Sequence, residues 1–175
     1  MIFATVGHEL RFDRLIKGLD DWAFASGNDD IFAQVAELGD NGYSPRNFEW
    51  QSFLDPDTFK SNFEKADLIV AHAGMGTIIT ALTMKKPLLI MPRKGDLKET
   101  RNDHQIATAE QFAKRSGIYV AEDEVALGPL LDKLTANPAP TISEAASQFA
   151  EPELSYIYIS GAQSLYRPKI NRVKV

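Results

Sequence analysis

Between an apolar run and a helix-period segment stands AHAGMGT, residues 71–77, which places a histidine, two glycines and a threonine at one joint. A helix N-terminus offers unpaired N–H groups and the positive end of its dipole to an anion. Gly74 and Gly76 let backbone amides come close to a phosphate, and the Thr77 hydroxyl adds a donor in the first turn. That chemistry suits a diphosphate. The plainer alternative is that the glycines only make a tight turn. Two phosphate motifs are missing. A P-loop needs Lys followed by Ser or Thr after its second glycine, and a dinucleotide fingerprint needs a third glycine where Ile79 stands.

A second polar cluster, RKGDLKETRNDHQ at 93–105, follows the apolar run LLIMP. Arg93, Lys94, Lys98 and Arg101 are cations able to meet phosphate charge, or else a solvated loop. Asn102, Asp103, His104 and Gln105 open a helix, either lining the same crevice or simply capping it, with Asn102 as the expected cap. A third loop, GHELR at 7–11, carries His8 and Glu9. His8 has the chemistry of a general base, although a lone histidine is more often exposed or structural.

These loops need elements to bring them together. MIFATV, IFAQV, FEW, DLIVAHA, LLIM and GIYV read as short strands, and most are apolar throughout. Between them, Phe12, Leu15, Ile16 and Leu19 keep one helix face, as do Phe59, Phe63 and Ala66 after the Asp55-Pro56 start signal. Ile78, Ile79 and Leu82 mark a further helix, and Ile106, Ala109 and Ala113 another. Leu127, Leu130, Leu131 and Leu134 mark the last, where Pro129 is expected in the first turn or as a breaker. Near-continuous apolar strands separated by helices imply a parallel sheet covered on both faces, an α/β fold. In such sheets ligands bind beyond the carboxyl ends of the strands, where all three loops would converge.

Composition sets outer bounds. The 175 residues, 44% hydrophobic, suit one domain. We divide the chain into a domain over 1–150 and a tail over 151–175, in which SYIYIS is ambiguous and RPKINRVKV carries four cations and no acid. The net charge of −5 argues against nucleic acid as a partner. There is no cysteine, which removes disulfides and thiolate metal sites. With no membrane-spanning run and no basic flank at the start, the chain reads as cytosolic.

ADLIVAHAGMGTIITAL, KPLLIMPR and RNDHQIATAEQF with GIYVAED, together with TVG and FDRLIK near the start, resemble the PssE-type glycosyltransferases of bacterial exopolysaccharide synthesis. These are similar to the small catalytic subunit of the dolichol-linked N-acetylglucosaminyltransferase and to the C-terminal half of MurG. The resemblance covers residues 1 to about 125. It implies a Rossmann-like half of a GT-B enzyme that binds a UDP-sugar as donor, with no other cofactor. The acceptor would be a sugar on a polyprenyl diphosphate, handled by a membrane-anchored partner subunit. It also implies nucleotide-sugar contacts from His72, Gly74, Met75, Gly76, Thr77, Thr80, Arg93, Asn102, Asp103 and Gln105, catalytic roles for His8 and His104, and no metal site. The chain departs from the family pattern twice. Thr80 stands where an acidic residue usually grips the ribose hydroxyls, and the loop at His8 lacks the usual Thr between glycine and histidine.

Overall fold

The computed structural model of the chain describes residues 1–137. Six strands form one sheet: β1 (Ile2–Thr5), β2 (Ile31–Gln34), β3 (Glu49–Gln51), β4 (Leu68–His72), β5 (Leu88–Met91) and β6 (Ile118–Val120). Every pairing is parallel and the order is β3-β2-β1-β4-β5-β6. This is the Rossmann order, in which the winding reverses between β1 and β4. Among the described residues four helices lie between strands, α1 (Asp13–Ser26), α2 (Pro56–Lys65), α3 (Met75–Thr83) and α4 (His104–Phe112), and α5 (Glu124–Ala136) follows β6.

The strands are apolar throughout because both faces are covered. Alternate side chains go to opposite sides. Ala4, Val70, Leu89 and Met91 meet Leu15, Ile16 and Leu19 of α1 and Leu127, Leu131 and Leu134 of α5. Phe3, Ile69, Ala71, Leu88 and Ile90 meet Phe63 of α2, Ile78, Ala81 and Leu82 of α3, and Ala109 and Phe112 of α4. The α/β sheet with helices on both faces, expected from the sequence, is therefore the fold of the described residues.

Local signals behave as their chemistry requires, with two exceptions. Asp55 caps α2 by accepting from the Asp57 and Thr58 amides, and Pro56 opens the helix. Gly27, at φ 68°, closes α1 in the left-handed conformation. Pro129, expected in the first turn of the last helix or as a breaker, lies beyond that turn inside α5, which runs on to Ala136. Leu127, Leu131 and Leu134 are buried against α1, and Trp22 Nε1 donates to Asp132 at 2.7 Å, so packing carries the helix past the missing N–H. Asn102 is not the N-cap of α4, which falls at Asp103; its Oδ1 instead accepts from the His104 amide at 3.3 Å. The segments SYIYIS and RPKINRVKV lie outside the described residues.

Candidate functional site

The β1–α1, β4–α3 and β5–α4 loops all leave the carboxyl edge of the sheet, the first two from the adjacent strands at which the winding reverses. At the β4–α3 joint Gly74 is the N-cap, with extended φ −92° and ψ 132° and no side-chain cap. Its amide donates back to the His72 carbonyl at 2.8 Å, and its carbonyl accepts the first helical bond, from Ile78 at 3.1 Å. The amides of Met75, Gly76 and Thr77 precede that bond, so the first turn of α3 presents uncapped donors at the sheet edge. Met75 is exposed there, and Gly76 and Thr77 are half-buried. The Thr80 hydroxyl, one turn further on, donates to the Gly76 carbonyl at 2.9 Å.

His72 ends β4 with its ring wedged between two loops. A Cβ on Gly74 would lie 2.2 Å from its Nε2, and a Cβ on Gly7 would lie 3.2 Å from its Cε1. Gly7 has φ +82°, a conformation side chains disfavour, so glycine is required there by backbone and neighbour together. Burial first, and then the charge of Arg93, push the His72 imidazole down to about 4. It is neutral at physiological pH. Its Nδ1 is buried without a hydrogen-bond partner among the described residues.

Arg93 is not a solvated loop cation. It is 3% exposed, and its guanidinium donates to backbone carbonyls of Val6, Leu10 and Arg11 at 3.0, 2.6 and 2.7 Å. The guanidinium expected to meet phosphate charge thus faces the carbonyls of the first loop. Gln105 accepts from the Arg93 amide through Oε1 at 3.1 Å. Asp103 accepts from the Gly95 amide through Oδ1 at 2.8 Å. Both side chains therefore shape the β5–α4 loop. His8 and His104 are exposed, and among the described residues neither imidazole is hydrogen-bonded to another site residue; His8 Nε2 stands 3.9 Å from Glu9 Oε1.

The structure thus brings His72, Gly7 and Gly74 together, ties Arg93 to the first loop and Gln105 to the Arg93 backbone, and leaves His8 and His104 exposed at the edge. Sequence reasoning missed Gln34, which is 5% exposed and donates from Nε2 to the Gly7 carbonyl at 3.1 Å. A polar residue inside an apolar strand was the available signal. Among the described residues no group of three or more His, Cys, Asp or Glu could hold a metal ion, and no helix is long and apolar enough to cross a membrane.

Residues 5–155 match the family model of the glycosyltransferase family 28 C-terminal domain. The chain is 30% identical over 90 residues, 49% of its length, to the UDP-N-acetylglucosamine transferase subunit ALG13 of Homo sapiens, covering 8% of that protein. It is 39% identical over 51 residues, 29% of its length, to the ALG13 subunit of Candida albicans, covering 16% of that one. The chain thus spans only a small part of the curated relatives it matches. Among solved structures, MurG of Acinetobacter baumannii superimposes with a TM-score of 0.64 at 20% identity, over 93% of this chain and 49% of MurG. A solution structure of ALG13 superimposes with a TM-score of 0.59 at 15% identity, over 90% of this chain and 94% of the other. At these identities the likeness shows the fold, a Rossmann-like half of the GT-B architecture.

Proposed function

Because the chain belongs to the glycosyltransferase family 28 C-terminal domain family, we propose that it is the donor-binding half of a UDP-sugar-dependent glycosyltransferase. The observation that carries this reading is the uncapped first turn of α3 at the reversal of the sheet, where the Met75, Gly76 and Thr77 amides are available to a diphosphate. Charge grows on the leaving diphosphate as the bond to the sugar breaks. Fixed amides and a helix dipole stabilise that charge without reorganising. His72 acts here as a neutral donor or acceptor beside the diphosphate. Asn102, Asp103, His104 and Gln105 face the sugar side, and His8 is the candidate base for the acceptor hydroxyl. Donor and diphosphate need no metal in this scheme.

The acceptor in this reading is a sugar on a polyprenyl diphosphate at the cytoplasmic face of a membrane, within PssE-type exopolysaccharide synthesis. A single α/β domain forms one wall of a two-walled GT-B cleft, and in this reading a membrane-anchored partner subunit supplies the acceptor wall. The basic segment 167–175 is a candidate for contact with that partner or with anionic headgroups. The ALG13 relatives, named as transferase subunits, support a subunit role.

A second reading, a weakly catalytic nucleotide-sugar module that acts through its partner, is favoured by Thr80. Its neutral hydroxyl is engaged with the Gly76 carbonyl. UDP-induced thermal stabilisation tests the donor site. The parent is expected to gain several degrees, and Gly76→Val, whose isopropyl group shields the amides, is expected to gain none. Equal gains would move the cradle elsewhere. Sugar transfer by the isolated chain to a lipid-diphosphate acceptor would remove the need for a partner.

A further inference from the structure

The first loop, Val6 to Phe12, turns its carbonyls inward. Arg93 donates to those of Val6, Leu10 and Arg11 at 3.0, 2.6 and 2.7 Å, and also to that of Glu99 at 3.4 Å. Gln34 Nε2 donates to the Gly7 carbonyl at 3.1 Å, while its Oε1 accepts from the Leu54 amide at 3.2 Å. The Phe12 ring lies under the Arg93 guanidinium, 4.6 Å from Cζ to the centroid. His8 and Glu9, in the middle of this loop, stay exposed.

A buried guanidinium is expensive, and among the described residues Arg93 has no carboxylate in direct contact to offset it. The nearby Glu99 carboxylate is held by Arg14 at 2.8 Å through both oxygens and by the Lys94 amide. An apolar residue would fill the space at lower desolvation cost but would leave three loop carbonyls unpaired. Lysine would offer one point of donors where the carbonyls approach from several directions. Only the planar fork of arginine matches them. The sequence therefore commits a costly side chain to the shape of one loop.

We propose that Arg93 is a positioning residue, which fixes the β1–α1 loop so that His8 is held at the sheet edge beside the α3 N-terminus. Its consequence for transfer rests on the function proposed above; its effect on the loop does not.

Two measurements on the ligand-free protein test the loop. In the parent, the Arg93 guanidinium should give resolved, slowly exchanging Nη resonances, and free rotation with averaged signals would overturn the proposal without any variant. In Arg93→Lys, amide order parameters over residues 7–11 should fall from about 0.85 to below about 0.6, with Met75 to Ala81 unchanged. Unchanged loop order, or an equal loss throughout α3 and β4, would overturn it as well. A third measurement bears on chemistry. Adding UDP-N-acetylglucosamine should shift the His8 imidazole resonances in the parent, and in Arg93→Lys should shift the Gly76 amide but no longer His8. A His8 shift retained in the variant contradicts the positioning role. If the parent shows no shift at Gly76, the donor-site reading fails, and the loop measurements still decide the role of Arg93.

Discussion

The His72 ring occupies the space that a side chain on Gly74 would need: Nε2 lies 2.2 Å from the Cβ position, and Cδ2 and Cε1 each lie 2.9 Å away. The Gly74 backbone itself, φ −92° and ψ 132°, is open to any residue. The glycine is thus demanded by the imidazole rather than by the turn. The two residues form one unit at the mouth of α3.

Gly74→Ala should therefore destabilise the protein by roughly 1–3 kcal/mol, the usual cost of overpacking. In a His72→Ala background the same change should cost little, giving a coupling of about 1 kcal/mol or more in a double-mutant cycle by urea denaturation. Equal costs in both backgrounds would mean that the collision is relieved some other way.

Stability should fall with pH in a window that belongs to His72. Its folded value is about 4 against 6.5 for a free histidine, through burial first and then the Arg93 charge, with the Thr5 backbone acting the other way. Below 6.5 the unfolded chain takes up a proton that the native chain refuses. The stability is complete above that value and is lost as pH falls toward 4, about 2 kcal/mol between pH 7 and pH 5. Asp20 lies outside this window. Burial raises its carboxyl, but hydrogen bonds from Tyr43, Asn47 and Arg46 outweigh that and hold it below 3.8, so its contribution is lost at lower pH. Denaturation at pH 7 and pH 5 should show the loss in the parent and a flatter profile in His72→Gln; parallel profiles would contradict the assignment.

In the proposed donor site, a carboxylate at position 80 is expected to raise nucleotide affinity. A carboxylate receiving ribose hydroxyls makes charge-assisted hydrogen bonds, roughly twice as strong as neutral ones. Thr80→Glu should tighten UDP about tenfold by calorimetry and do much less for 2′,3′-dideoxy-UDP. Equal gains for the two ligands would mean that position 80 does not meet the ribose.

The sheet was legible because parallel strands buried on both faces must be apolar throughout, as DLIVAHA and LLIM are. The joint between β4 and α3 was legible because paired glycines after an apolar run mark a strand-to-helix turn; its use as a diphosphate cradle is the proposal made above. The role of Arg93 was not. Sequence shows a cation after a strand, whereas its partners are carbonyls of a loop more than eighty residues earlier. Asp20 was hidden for the same reason: it sits on α1 yet is buried, receiving Tyr43 and the Arg46 and Asn47 amides from a loop that sequence reads only as polar. Pro129 misled in the other direction, because local propensity forbids what α1–α5 packing sustains.

Amide resonances followed during titration with UDP decide whether the first turn of α3 receives the diphosphate of a UDP-sugar. The largest shifts are expected at Met75, Gly76 and Thr77, with smaller ones at Gly7, and none at the opposite edge of the sheet near Asp29 and Asp30. Saturable shifts confined to another region, or none at Met75 to Thr77 at millimolar UDP, would contradict that placement.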